Sequence, residues 1–157
     1  MSRSTPATTA LTKAGIAFEL HTYDYDPDAA KVGLQAAEAL GEPADRVFKT
    51  LIALLDGKPV CVIAPSDSEV SMKKLASALG GKAAKMMPPA DAERITGYKV
   101  GGVSPFGQRR KLPTAIDESA LSQLYIFVNG GQRGLQIRLS PDDARITAAA
   151  VVASLTA

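Results

Sequence analysis

Of the 157 residues, few combine the types and spacing that covalent chemistry needs. Lys49 stands in the string Val47-Phe48-Lys49-Thr50-Leu51, inside an otherwise apolar stretch. A lysine turned inward there needs a partner or a task; strand alternation equally allows Phe48 inside and Lys49 in solvent. Two glycine-rich segments follow, Gly101-Gly102-Val103-Ser104-Pro105-Phe106-Gly107 and Asn129-Gly130-Gly131-Gln132-Arg133-Gly134. Glycine lets backbone N–H groups approach a carbonyl oxygen or phosphate closely, although tight turns alone also explain Gly-Gly pairs.

Other chemistries lack their residues. The single histidine, His21, lies in a strand pattern and reads first as structural. Cys61, flanked by Val60 and Val62, has no neighbouring charge to lower its pKa, so it reads as a buried core thiol. No nucleophile elbow, Walker A loop, Rossmann fingerprint or metal-ligand spacing is present. The residues by themselves therefore predict a ligand cleft lined by backbone donors and a lysine, with no metal and no cofactor.

The formal charge of +2 is too small for indiscriminate nucleic-acid binding. A local patch is needed, and Arg109, Arg110, Lys111 and Arg133 are the candidates, a solvated charge run being the alternative. One cysteine allows no internal disulfide, and no apolar run reaches the length of a signal core or membrane span, so a soluble cytoplasmic protein is expected.

The elements that must hold these residues are readable from punctuation and period. Ser4 or Thr5 before Pro6 starts a helix that Gly15 stops. Ile16, Phe18 and Leu20 alternate with polar residues in a half-buried strand to about Tyr23, and Asp24 to Lys31 is a loop. Leu34, Ala37 and Leu40 share a helical face ended by Gly41 and Pro43. Val47–Leu55 and Pro59–Ala64 form a hairpin through Asp56-Gly57-Lys58. Ser71 caps a helix to Leu79, and Pro88-Pro89 opens one that Gly97 ends. A long loop from Gly97 to Pro113 precedes strands at 114–117, 125–128 and 135–139 and a helix from Ser140-Pro141-Asp142-Asp143. The expected fold is α/β (α+β): one domain over residues 1–157, with a mixed, partly closed sheet and peripheral helices.

Taken together, Thr5-Pro6-Ala7, His21-Thr22-Tyr23, Val47-Phe48-Lys49-Thr50-Leu51, Thr96-Gly97-Tyr98, Val100 through Gly107, Leu112-Pro113-Thr114 and Gly130-Gly131-Gln132-Arg133-Gly134-Leu135 resemble the YbaK/prolyl-tRNA-synthetase-associated domain family, in its order and along nearly the whole chain. The likeness is closest to its bacterial Cys-tRNA(Pro) and Cys-tRNA(Cys) deacylases. It implies an aminoacyl-tRNA deacylase that acts with prolyl-tRNA synthetase and clears cysteine wrongly attached to tRNA(Pro). The family mechanism uses the substrate's own thiol as nucleophile, formally a lyase reaction; an activated water would make the enzyme a hydrolase.

The same resemblance implies roles for individual residues. Lys49 and Tyr23 would face the reacting end as the catalytic pair. Gly101, Gly102, Val103, Ser104 and Pro105 match a GxxxP loop that cradles the aminoacyl group, with Gly130, Gly131 and Gln136 beside it. Arg109, Arg110, Lys111 and Arg133 would meet the tRNA. Gln136 stands where the deacylases carry an aspartate; it accepts a hydrogen bond but has no charge, so a carboxylate's role does not transfer. A deacylase for another amino acid such as alanine, or a non-catalytic tRNA-binding module, are the other readings.

Overall fold

The structure is a computed structural model, and it describes residues 4–28 and 32–157. Met1–Arg3, and residues 29–31 of the loop expected between Asp24 and Lys31, lie outside the described residues.

Helix α1 (Pro6–Lys13) begins at Thr5, whose hydroxyl accepts from Thr8 N while Thr8 Oγ1 accepts from Thr5 N. This reciprocal cap satisfies two otherwise orphaned donors. Ala7 and Leu11 are buried beneath it. Strand β1 (Glu19–Thr22) is shorter than the expected 16–23, and Leu20 is exposed. Among the described residues its strand partner is β7 (Leu135–Leu139) alone, which makes it an edge strand, while Ile16 and Phe18 pack against the core from outside the ladder. Helix α2 spans Val32–Leu40.

The hairpin forms as expected. Strands β2 (Phe48–Leu55) and β3 (Lys58–Pro65) are antiparallel and joined by Asp56 and Gly57, with φ of 49° and 83°. Two successive positive φ values define the turn that matches strand twist, and Asp-Gly adopts it readily. Beyond it come α3 (Met72–Ala78), β4 (Ala84–Met86), α4 (Pro89–Thr96), β5 (Thr114–Asp117), a 3-10 turn at Glu118–Ser122, β6 (Ile126–Asn129), β7, α5 (Pro141–Ala148) and β8 (Ala150–Ala153).

The strands divide between a three-stranded antiparallel sheet, ordered β1-β7-β6, and a five-stranded mixed sheet, ordered β4-β2-β3-β5-β8. A parallel bridge between Val47 and Phe127, with Phe127 N donating to Arg46 O at 3.0 Å, ties the sheets together at the start of β2. The α/β class is as expected, with the strands in two sheets that meet at that junction where one mixed sheet was expected. Strand β3 lies between β2 and β5 and is buried from Val60 to Pro65, which explains its nearly continuous apolar sequence. The main core, including Leu11, Phe48, Phe106, Ile126 and Ile137, draws on both sheets.

Candidate active site

Lys49 enters the site because the junction of the sheets leaves one end of β2 facing a cleft. Its neighbour Phe48 is buried in the main core at 2% exposure. Lys49 itself is half-buried, lines the cleft, and donates from Nζ to Ser68 O at 2.6 Å. A charge-assisted bond of this kind fixes the direction of a long, flexible side chain.

The cleft has a volume of about 290 Å³. Its walls are largely apolar, from Val47, Leu51, Ile52, Met86, Met87, Ala92 and Val103, and its polar groups come from Tyr23, Lys49, Thr50, Ser66, Asn129 and Gln136. Apolar walls with a few convergent polar groups are the usual build of a small-ligand site. Burial pushes the Tyr23 phenol above its ordinary range, and the amide of Gln136 acts in the opposite direction. A contact that lowers a phenol's pKa is one in which the amide N–H donates to its oxygen. Oε1 of Gln136 and Oγ1 of Thr50, both buried, have no hydrogen-bond partner among the described residues. Two unsatisfied polar atoms in one cleft are suited to a polar ligand.

Tyr23 is held through its backbone, with Tyr23 N donating to Gly134 O at 3.0 Å. A Cβ on Gly134 would lie 2.6 Å from Tyr23 O, so only glycine allows this approach.

The two glycine segments meet at the cleft. Gly101 and Val103 line it; Gly102, Ser104, Pro105, Gly130 and Gly131 do not. Ser104 is fully buried, and its Oγ accepts from Phe106 N at 3.3 Å, a turn contact. A Cβ on Gly102 would sit 2.8 Å from Arg133 N, so the segments touch backbone to backbone. Gly130 N donates to Leu135 O, and Gly131 N donates to Asn129 Oδ1 at 2.7 Å. The N–H groups of Gly130, Gly131 and Gln132 are thus engaged locally. Asn129 Nδ2 donates across to Gly101 O at 3.2 Å.

The basic residues are spread out. Arg133 donates from Nε to Val100 O at 2.9 Å and stacks its guanidinium over Tyr25, which places it next to Gly101. Arg109 donates to Arg94 O, away from the cleft lining. Arg110 and Lys111 are exposed near the hairpin turn between β2 and β3, also outside the lining. His21 is outside it too, paired with Glu19 at 3.4 Å and packed edge-on against Phe127.

Cys61 is fully buried in the centre of the larger sheet, and burial pushes its thiol up to about 11. Such a thiol is neutral at physiological pH and inert as a nucleophile.

Sequence reading did not single out Thr50, Ser66, Met86, Met87 or Asn129 as cleft residues. Asn129 carried a usable signal, since Asn before Gly-Gly is a side-chain turn former. The two methionines carried none, because Met86 ends a strand only three residues long and Met87 is placed by its N–H donating to Ile52 O.

Comparison with known proteins agrees with this architecture. The chain is 41% identical over 107 residues to EbsC of Enterococcus faecalis, a protein named as a proposed Cys-tRNA(Pro)/Cys-tRNA(Cys) deacylase, a match covering 68% of this chain and 65% of that protein. The chain thus spans just under two-thirds of that relative's length. It is 33% identical over 92 residues to proline–tRNA ligase of Geobacter metallireducens, covering 59% of this chain and 16% of the ligase. A solved structure described as a proposed trans-editing enzyme for prolyl-tRNA synthetase superposes with a TM-score of 0.85 at 23% identity, covering 99% of both chains, which establishes the shared fold. The model of the aminoacyl-tRNA editing domain matches residues 26–146, a span that contains Lys49, the first glycine segment and Gln136. The chain belongs to the aminoacyl-tRNA editing domain family.

Proposed function

We propose that this protein is a trans-editing deacylase, with one editing domain over residues 1–157, that clears cysteine from tRNA(Pro), and by extension Cys-tRNA(Cys), in the cytoplasm alongside prolyl-tRNA synthetase. The observation that carries this reading is the make-up of the cleft in a member of an editing family: a fixed ammonium, neutral hydrogen-bonding groups and apolar walls, with the chain's one thiol buried elsewhere. Small apolar differences are worth only about 1–3 kcal/mol in a synthetase pocket, so cysteine passing as proline needs a second checkpoint.

In the proposed reaction the substrate supplies the nucleophile. Its side-chain sulfur attacks the ester carbonyl carbon, the new C–S bond closes a thiolactone, and the C–O bond to the ribose breaks. The thiol proton ends on the ribose hydroxyl that leaves with the tRNA. Lys49 is positioned to stabilise the charge that builds on the carbonyl oxygen, and Tyr23, a neutral phenol, to orient the aminoacyl end. Gly101 and Val103 form the wall beside it, Gly102, Ser104 and Pro105 support that segment from outside the lining, Gly130 and Gly131 shape the second segment, and Gln136 meets a polar group of the amino acid. Arg109, Arg110, Lys111 and Arg133 are assigned to the RNA. No metal and no cofactor enters the scheme.

A second reading rests on Thr50 Oγ1 and Gln136 Oε1, whose unsatisfied state also suits a bound water that hydrolyses an alanyl ester. A deacylation panel with Cys-, Ala-, Ser- and Pro-tRNA(Pro) tests the proposal. Selective loss of the cysteinyl ester supports it, preferential loss of the alanyl ester supports the water route, and no protein-dependent loss of any ester leaves a binding module.

A further inference from the structure

A second concave surface lies at the far end of the larger sheet, where the turn between β2 and β3 meets Gly80-Gly81 and the segment leading into β5. Its charged lining residues are Lys58, Arg110 and Lys111, all exposed, and Asp56. The Asp56 carboxylate is engaged by the chain itself: it accepts from Lys82 N at 3.0 Å and Ala83 N at 2.9 Å. Those bonds fold the chain so that Lys82, also exposed, starts beside the same turn. Four cations from three separate segments thus gather around one acid whose oxygens already hold backbone donors.

This surface and the cleft share strand β2. Lys49 lines the cleft and Leu55 lines the basic surface, and six residue steps along β2 separate them, roughly 20 Å at strand rise. Edge strand β4 runs alongside, with Met86, a cleft residue, opposite Ala53, and Ala84 opposite Leu55. Between them, Lys85 is exposed. An unpaired acceptor tail of four nucleotides spans about 14 Å when stacked at 3.4 Å per nucleotide, and more when extended. The separation fits an RNA whose esterified end is in the cleft and whose first base pairs reach the turn.

We propose that Lys58, Lys82, Arg110 and Lys111 form the docking surface for phosphates of the substrate's double-helical acceptor stem, with the unpaired tail laid along β4. The proposal rests on the reading of the cleft as the site of the aminoacyl ester. It adds Lys58 and Lys82 to the RNA contacts and sets the path between the two sites. Contacts of this kind position an RNA without reading its sequence.

The test uses the exposed double variant Lys58→Glu/Lys82→Glu in the full chain. Binding of uncharged tRNA(Pro) is measured by fluorescence anisotropy across a salt series, and cleavage is compared for Cys-tRNA(Pro) and for a cysteinyl ester of the trinucleotide CCA. The variant should bind tRNA at least about tenfold more weakly, with a shallower dependence on salt, since each phosphate contact contributes about −0.9 to the logarithmic slope. KM for Cys-tRNA(Pro) should rise about tenfold while cleavage of the CCA ester stays within about twofold, because that ester has no stem to lose. Unchanged tRNA affinity, or an equal loss on both esters, would overturn the proposal. Failure of the unaltered protein to cleave either ester would overturn the cleft reading instead, and the binding measurement would still decide whether this surface holds RNA.

Discussion

Asn129 fastens the first glycine segment to the second: its Nδ2 donates to Gly101 O at 3.2 Å while its Oδ1 accepts from Gly131 N at 2.7 Å. One amide thus sets the position of a backbone that lines the cleft. Asn129→Asp keeps the acceptor and loses the donor, so it should lower deacylation at least several-fold with little loss of secondary structure. Asn129→Ala leaves partly buried backbone groups unsatisfied and should cost about 1–3 kcal/mol of stability. Thermal unfolding and turnover measured on the same samples check both; an Asn129→Asp enzyme with unchanged activity would show that the amide bridge does not shape the site.

Lys49→Ala should reduce deacylation at least about tenfold, the size of one charge-assisted hydrogen bond worth about 1.5–3 kcal/mol. Circular dichroism should remain that of the unaltered protein, since Phe48 and not Lys49 fills the core at this point. Full turnover in Lys49→Ala would remove the ammonium from the mechanism.

Much of this site was legible in the sequence because its parts are local. Asp56-Gly57 specifies a two-residue turn, which fixes the register of β2 on β3 and thereby the place of Lys49 opposite Ala64. Whether Lys49 faced solvent was not legible from alternation, since the cleft exists only where the two sheets meet at Val47 and Phe127. The same holds for β8: Ala150-Val151-Val152-Ala153 follows α5 with one residue between them, and the strand begins because Ala149 turns the chain with a φ of 51°. The run Arg109-Arg110-Lys111 was visible as charge, but its distance from the cleft depends on the pairing of β3 with β5, a parallel contact between residues more than fifty positions apart.

Cys61→Ser should retain most activity, because a buried neutral thiol takes no part in the reaction. It should also change how stability responds to alkali. The folded thiol titrates at about 11 against an ordinary value of 9.0. The folded state then holds its proton more tightly than the unfolded state does. That contribution is fully present below pH 9 and is lost as pH rises toward 11. Tyr98, whose hydroxyl donates to Phe106 O and is pushed up to about 12, adds a fall of the same sign between its ordinary value of 10.0 and about 12. Urea unfolding across this range should show stability decreasing with pH, less steeply between pH 9 and 11 in Cys61→Ser. An increase, or a folded but inactive Cys61→Ser protein, would contradict this.

Treatment with EDTA should leave deacylation intact. Among the described residues no three His, Cys, Asp or Glu side chains are grouped to hold a metal ion, and the proposed reaction needs none. Loss of activity that one particular added metal restores would contradict it.

In the proposed reaction the substrate's own sulfur breaks the ester. A hydroxyl of similar size is a far weaker nucleophile near neutral pH, so the discrimination should come from reactivity more than from fit. Single-turnover cleavage of Cys-tRNA(Pro) and Ser-tRNA(Pro) at equal concentration isolates the chemical step from binding. Thiol attack should give rapid loss of the cysteinyl ester with the seryl ester largely preserved. Comparable rates for the two would contradict thiol attack and place an activated water in the cleft.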